Sequence, residues 1–262
     1  MLRALNTAAL GMSAQQTGVD NIANNLANAN TNGYKRSTVV FQDLLYQTVQ
    51  AAGQGEAGGA ADPASLQVGM GAAAIATMRN FSQGGLSETG NPLDFAINGS
   101  GFLQIRRPDG TIAYTRDGTF TLSADGNVVT QTGLQLEPDL EIPPEAVEIH
   151  VGQDGLVSVR LQGEPDMVEL GQLELARFSN PAGLNPIGGN LFEQSEASGE
   201  PTIGTPGQEG LGLILQGYVE TSNVDVVKEM VDLIAAQRAY EINSKMVTTS
   251  EEMLQTANNL KR

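Results

Sequence analysis

The chain has 262 residues, one histidine, no cysteine and no tryptophan, and its 30 acidic side chains outnumber 14 basic ones for a formal charge of −16. Without cysteine there is no disulfide framework, zinc–thiolate site, iron–sulfur cluster or cysteine nucleophile, and with His150 alone there is no multi-histidine metal site. The acidic balance argues against nucleic acid and anionic membrane surfaces, which both select a basic footprint. The charge is also uneven: residues 51–215 hold 21 acidic and six basic side chains, whereas 1–50 sum to +1 and 216–262 to −2.

From the N-terminus, Leu2, Leu5, Ala9, Met12, Gln16, Val19, Ala23, Leu26 and Asn30 alternate spacings of three and four. That is the period of a helix with a heptad seam. No proline interrupts it, and Asn30-Thr31-Asn32-Gly33 is a suitable stop, because Asn and Gly tolerate the left-handed conformation of a helix end. The stretch is too polar, at Asn6, Thr7, Ser13, Gln15 and Gln16, to serve as the apolar region of a cleavable signal. No run approaches the ~20 apolar residues of a bilayer span. Residues 51–65 are rich in Gly and Ala and read as a low-complexity connector. Gly69-Met70-Gly71-Ala72-Ala73-Ala74 matches a dinucleotide-loop pattern but lacks the strand before it and the amphipathic helix after it. A turn or strand packed with small residues is expected there.

The middle reads as β. Asp109-Gly110, Asp117-Gly118, Asp125-Gly126 and Asp154-Gly155 are hairpin signals between short apolar runs. The runs lie at 112–114, 120–122, 127–130, 148–151, 156–161, 167–170 and 172–178. Each Asp-Gly turn offers one carboxylate, too few for a calcium loop. His150 has no GxSxG nucleophile to serve, and a glycosidase carboxylate pair would lack aromatic platforms. No catalytic, cofactor-binding or metal residue is expected, and the chain reads as a non-enzyme needing no cofactor. Residues 198–210, with Pro201, Pro206 and four glycines, read as a second connector.

The C-terminal stretch repeats the heptad pattern at Val226, Met230, Leu233, Gln237, Tyr240, Ser244, Val247, Glu251, Leu254, Asn258 and Lys261. Val227, Val231, Ile234, Ile242, Met246 and Met253 form a second stripe. Ser222-Asn223-Val224-Asp225 supplies N-cap candidates. A helix from about 223 to 259 would be roughly 55 Å long, a length typical of coiled coils. Polar residues in both seams cost stability but specify register and partner, so these helices are expected to depend on partners for order. The fold class is therefore α+β, with N- and C-terminal helices paired as a coiled coil and a central, mostly antiparallel β domain. The divisions are 1–46 and 216–262 for the paired helical segments, 47–70 for a connector or extended hairpin, and 71–215 for the β domain.

Several motifs carry a family resemblance. Ile22–Arg36, with Asn25, Asn28, Gly33 and Tyr34, resembles the N-terminal signature of bacterial flagellar rod and hook proteins. Ala235–Lys245, with Gln237, Arg238 and Tyr240, resembles the C-terminal partner motif, and Gln216–Val224 its lead-in. Leu86–Ile97, Gly99–Phe102 and Tyr114–Phe120 are similar to segments of the same family. The length and the connector ending in Leu66–Gly71 are similar to distal-rod members. Proximal-rod members are the alternative, and a non-flagellar extracellular coiled-coil stalk is the less favoured one.

The resemblance implies a structural subunit that forms a helical homopolymer, a hollow shaft around the export channel that transmits torque. Its implied location is the basal-body rod crossing the periplasm. Its implied partners are itself, proximal rod proteins, the hook protein, the P- and L-ring bushing and the type III export apparatus, with no nucleic acid and no membrane span. The residues expected to carry subunit interaction are Leu5, Met12, Val19, Asn25, Leu26, Asn28, Gly33, Tyr34, Val226, Met230, Leu233, Gln237, Arg238, Tyr240, Val247 and Leu254.

Overall fold

The structure is a computed structural model and describes residues 2–50, 65–163 and 166–260. The Gly/Ala-rich stretch of the expected connector and the Lys261-Arg262 end lie outside the described residues. The chain divides into two compact units, Met1–Ala27 with Ser37–Met78 and Asp225–Arg262, and Asn28–Arg36 with Arg79–Val224. Among the described residues no helix is long and apolar enough to cross a membrane.

The first unit holds helix α1 (Leu2–Ala27), strands β1 (Ser37–Asp43), β2 (Tyr46–Gln50), β3 (Leu66–Gly69) and β4 (Ala72–Arg79), and helix α2 (Val226–Asn259). Both helices lie close to the expected spans. α2 starts where Asp225 accepts hydrogen bonds from the backbone N–H groups of Val227 at 3.0 Å and Lys228 at 3.2 Å. Such a cap satisfies orphan donors and stabilises a helix by about 1 kcal/mol. β1 pairs with β4, and β2 with β3 in antiparallel register from Tyr46–Gly69 to Gln50–Leu66. The Gly69–Ala74 stretch is thus a strand end, a turn with Gly71 at φ +112°, and a strand start.

The second unit is antiparallel β. Its strands are β5 (Leu86–Glu88), β6 (Phe95–Asn98), β7 (Leu103–Arg106), β8 (Ile112–Thr115), β9 (Phe120–Leu122), β10 (Val128–Thr130), β11 (Gln135–Glu137), β12 (Ala146–Val151), β13 (Leu156–Leu161), β14 (Met167–Gln172), β15 (Leu175–Arg177), β16 (Asn185–Gly188), β17 (Leu191–Glu193), β18 (Thr202–Gly204), β19 (Leu213–Gln216) and β20 (Tyr218–Glu220). A seven-stranded sheet runs in the order β16-β17-β8-β7-β11-β10-β9, and a three-stranded sheet in the order β12-β13-β14. The pairs β15–β18, β19–β6 and β20–β5 complete the unit.

Strand alternation sends side chains to two faces. Leu103 and Ile105 of β7 join the main core with Phe120, Leu136, Val157, Val159, Leu173 and Ile214, all buried. Phe102 points to a second core, with Tyr114, Phe178, Leu184 and Phe192. There the rings meet edge to face, Tyr114 and Phe178 at 4.7 Å and 86°. The few aromatics of this chain are therefore concentrated where one face of the sheet needs bulk.

Two expectations are corrected. Asp117-Gly118 is not a hairpin, because β8 pairs with β7 and β17 whereas β9 pairs with β10. The turn carries the chain away from its neighbour. Gly118 receives the Phe95 N–H at 2.9 Å on its carbonyl, and a Cβ on Gly118 would stand 1.7 Å from the Phe95 carbonyl oxygen. An Asp-Gly pair reads as a hairpin from local chemistry, and only the crowding by β6 reveals a glycine needed for close approach. Residues 198–210 are likewise not a bare connector. They contain β18, which pairs with β15 from Leu175–Gly204 to Arg177–Thr202. A three-residue strand between prolines carries no period of its own and is specified by a partner far away in sequence.

Candidate functional site

The helices of the first unit pack against each other in opposite directions. Asn25 Nδ2 donates to Glu229 Oε2 at 3.1 Å, and a Cβ on Gly11 would lie 3.0 Å from the Asn243 amide. Residues 25 and 11 are fourteen apart, as are 229 and 243, so both contacts belong to one register two heptads long. On α2 the strip Glu229, Ala236, Asn243 and Ser250 recurs every seven residues. Glu229 and Ser250 are buried, and Ala236 and Asn243 half-buried. On α1 the matching residues are Gly11 and Asn25, whereas a Cβ on Gly18 would meet Phe41 of β1 at 3.6 Å. The missing side chain at Gly11 leaves room for the Asn243 amide.

The large apolar seam residues therefore flank the contact or face away from it. Leu5, Met12, Val19, Leu26, Leu233, Val247 and Leu254 are half-buried, whereas Val226, Met230, Gln237, Arg238 and Tyr240 are exposed. The structure brings Val19, Gln237 and Tyr240 together with Gln16 and Glu241 around a groove of about 380 Å³. Arg238 pairs instead with Glu241 on the same helix at 2.8 Å. The second stripe stays open: Val227 is 72% exposed, Ile242 62% and Val231 59%, with Ile234, Met246 and Met253 similar. At ~100° per residue these six side chains share an arc of about 120°, centred about 130° around the helix from the Glu229–Ser250 strip. A helix that is apolar beyond its packed face has more than one surface to bury.

The asparagines of the N-terminal motif have particular tasks. Asn25 is buried; its Oδ1 accepts the Ser37 N–H at 3.0 Å and its Nδ2 donates to the Ser37 carbonyl at 2.8 Å. Asn21 Nδ2 donates to the same carbonyl at 2.9 Å, and Ser37 Oγ donates to Asn21 Oδ1. Together they bind the start of β1 to α1. Asn28 lies in the second unit, half-buried, where it accepts from Thr31 Oγ1 at 3.2 Å.

In the second unit, three of the motif segments meet at one buried ion cluster. Lys35, Arg116 and Glu220 come from the segments Ile22–Arg36, Tyr114–Phe120 and Gln216–Val224. Lys35 Nζ lies 2.5 Å from Glu220 Oε1, and Arg116 Nη1 lies 3.3 Å from Glu220 Oε2. All three side chains are at most 4% exposed. Two further donors find backbone acceptors: Lys35 Nζ donates to the Ser82 carbonyl at 2.9 Å and Arg116 Nη2 to the Gly99 carbonyl at 2.7 Å. Glu220 Oε1 also accepts the Gly84 N–H at 2.7 Å. Burial pushes the Lys35 ammonium and the Arg116 guanidinium below their ordinary values, against the opposing pull of Glu220.

The other motif residues pack around this cluster. Gly33, at φ +68°, donates to the Glu220 carbonyl at 2.7 Å, and a Cβ there would lie 2.5 Å from the Asp117 backbone nitrogen. Tyr34 is buried beneath Arg79, whose guanidinium stands 5.6 Å from its ring centroid. Asn223 accepts the Arg36 N–H at 2.7 Å and donates to the carbonyls of Asn80 and Ser82. Sequence reasoning found these segments but not the charge triad that joins them, because no local pattern marks residues 35, 116 and 220 as neighbours. It also passed over the Glu229–Ser250 strip, whose heptad spacing is present but polar.

His150 is exposed on β12, opposite Ser158.

Three family models match the chain. Residues 5–35 match the flagella basal body rod protein family, 96–159 the flagellar hook protein FlgE/F/G D1 domain, and 215–260 the flagellar basal body rod FlgEFG protein C-terminal family. A Borreliella burgdorferi protein named flagellar basal-body rod protein FlgG is 48% identical over 264 residues, covering all of both chains. A protein of the same name from Bacillus subtilis is 39% identical over 273 residues, again covering both chains in full. Flagellar basal-body rod protein FlgF of Caulobacter vibrioides is 35% identical over 259 residues and 96% of each chain. With relatives of this identity matched along the full length, the chain belongs to the flagellar basal-body rod protein family.

Proposed function

We propose that the chain is a structural subunit of the distal rod of a bacterial flagellar basal body. It polymerises into a hollow helical shaft that surrounds the export channel and carries torque to the hook. The distal assignment rests on the relatives: those named FlgG reach 49% identity, against 35% for a relative named FlgF. α1 and α2 pair as a coiled coil and form the inner layer, and the β body lies outside. Segments 1–46 and 216–262 act in the inner layer, 47–70 as connector or hairpin and 71–215 as the outer domain. The partners are further copies of the chain, proximal rod proteins, the hook protein, the P- and L-ring bushing and the export apparatus. The acid-rich body keeps the shaft from adhering to the rings through like-charge repulsion.

The observation that carries the polymer reading is the exposed stripe Val227–Met253 of α2, a second apolar face on a helix already packed against α1. One subunit copied through heterologous, non-closing contacts generates a tube. The test is polymerisation of the purified full chain, followed by sedimentation and electron microscopy. Ile234→Asp with Ile242→Asp is expected to abolish sedimentable tubes while circular dichroism of the β body stays unchanged. Tubes of normal yield from the double variant would reject this role for the stripe.

A further inference from the structure

Arginines are scarce in the acid-rich body, and most are already engaged by carboxylates. Arg106 is held by Glu137 and Asp139, Arg107 by Asp109, and Arg160 by Glu148. Arg177 has no such partner among the described residues, and it stands with Arg116 on the wall of one cavity of about 300 Å³. Ser100 and Ser179 also line this cavity, with Phe102 and Phe178 as its apolar side.

The Arg116 side of the cavity is short of negative charge. Lys35 and Arg116 are two buried cations that share the single carboxylate of Glu220, so the cluster holds one positive charge in excess. Arg116 Nε, buried, has no hydrogen-bond partner among the described residues. A buried donor left unmade costs about 1–3 kcal/mol, and an excess buried charge costs more. Arg177 adds a second guanidinium at the same opening. Two guanidinium groups beside the serine hydroxyls of Ser100 and Ser179 suit a planar, bidentate acceptor.

We propose that this cavity is a carboxylate site, and that its occupant in the assembled rod is an aspartate or glutamate side chain of a second copy of this chain. The choice of occupant rests on the polymer reading above. Charge complementarity supplies the partner, since residues 51–215 of each copy carry 21 acidic side chains against six basic ones. The contact gives the acidic outer bodies a specific attraction where their net charges repel. It also fixes how one copy is oriented on the next, which is what charged groups at interfaces chiefly do.

The test uses the full chain and leaves the buried cluster intact. Acetate replacing chloride at equal ionic strength is expected to raise the melting temperature of monomeric wild type by about 2 °C and that of Arg177→Ala by none. An equal shift in both, or none in either, overturns the carboxylate site. Arg177→Glu is expected to raise the critical concentration for polymerisation about tenfold or more, with unchanged circular dichroism. Normal polymerisation of Arg177→Glu, with acetate still distinguishing wild type from Arg177→Ala, means that the cavity takes free carboxylates only and overturns the second-copy occupant. A wild-type chain that responds to acetate but never sediments fails the polymer reading and leaves the carboxylate site standing.

Discussion

Replacing Glu220 by Gln isolates the energetics of the buried cluster. The carboxylate serves Lys35 Nζ at 2.5 Å, Arg116 Nη1 at 3.3 Å and the Gly84 N–H at 2.7 Å. Glutamine keeps the shape and one acceptor oxygen but leaves two buried cations with no counter-charge. Breaking a buried pair from one side costs about 3–5 kcal/mol. For a unit of this size that corresponds to a fall in melting temperature of roughly 6–20 °C. Lys35→Met should cost less, because Arg116 still neutralises the carboxylate and the excess positive charge disappears. The triple replacement Lys35→Met, Arg116→Met and Glu220→Leu should recover most of the loss, since apolar groups of similar volume can stand in for a buried ion network. Differential scanning calorimetry of the full chain ranks the three. A Glu220→Gln variant within about 1 kcal/mol of wild type, or a Lys35→Met variant less stable than Glu220→Gln, would refute the reasoning.

Three further outcomes follow from particular contacts. Burial lowers the Lys35 value from 10.5, so the unfolded chain holds this proton more tightly than the folded one. The Lys35 contribution to stability is complete above 10.5 and falls away as pH drops through the lowered value; urea titrations across that range should show this slope in wild type and lose it in Lys35→Met. Gly118→Ala places a methyl group 1.7 Å from a backbone carbonyl oxygen and should cost about 3 kcal/mol or more, read as a collapse in soluble yield or melting temperature; a normal melting curve would count against the close approach. Limited proteolysis of the monomer should trim both helical ends and leave a fragment of roughly residues 70–215, because long helices with unburied apolar faces depend on partners for order. Equal protection of the ends would remove that dependence.

Much of the fold was readable because it is written in local periods. The spacing of three and four marked both helices, and Asp225 marked the start of α2. Alternation and Asp-Gly turns marked β8, β9, β10 and β13 almost residue for residue. Reading was weaker where a partner, rather than the segment itself, supplies the reason for the structure. β18 takes its register from β15, and Gly118 is small because β6 crosses it. The helix contact shows the same limit: the heptad period marks Leu233, Val247 and Leu254, which are half-buried, whereas the buried positions of α2 are the polar Glu229 and Ser250.

By itself the sequence determined the class of the molecule. Composition excluded thiol and multi-histidine chemistry, periodicity put helices at the ends and strands between them, and the motifs pointed to the rod family. Tertiary structure alone decided what those motifs hold together. Lys35, Arg116 and Glu220 are spread over 185 residues, and nothing local distinguishes them from surface charges. Only folding removes them from water, and that desolvation turns three ordinary side chains into an obligatory cluster with one positive charge to spare.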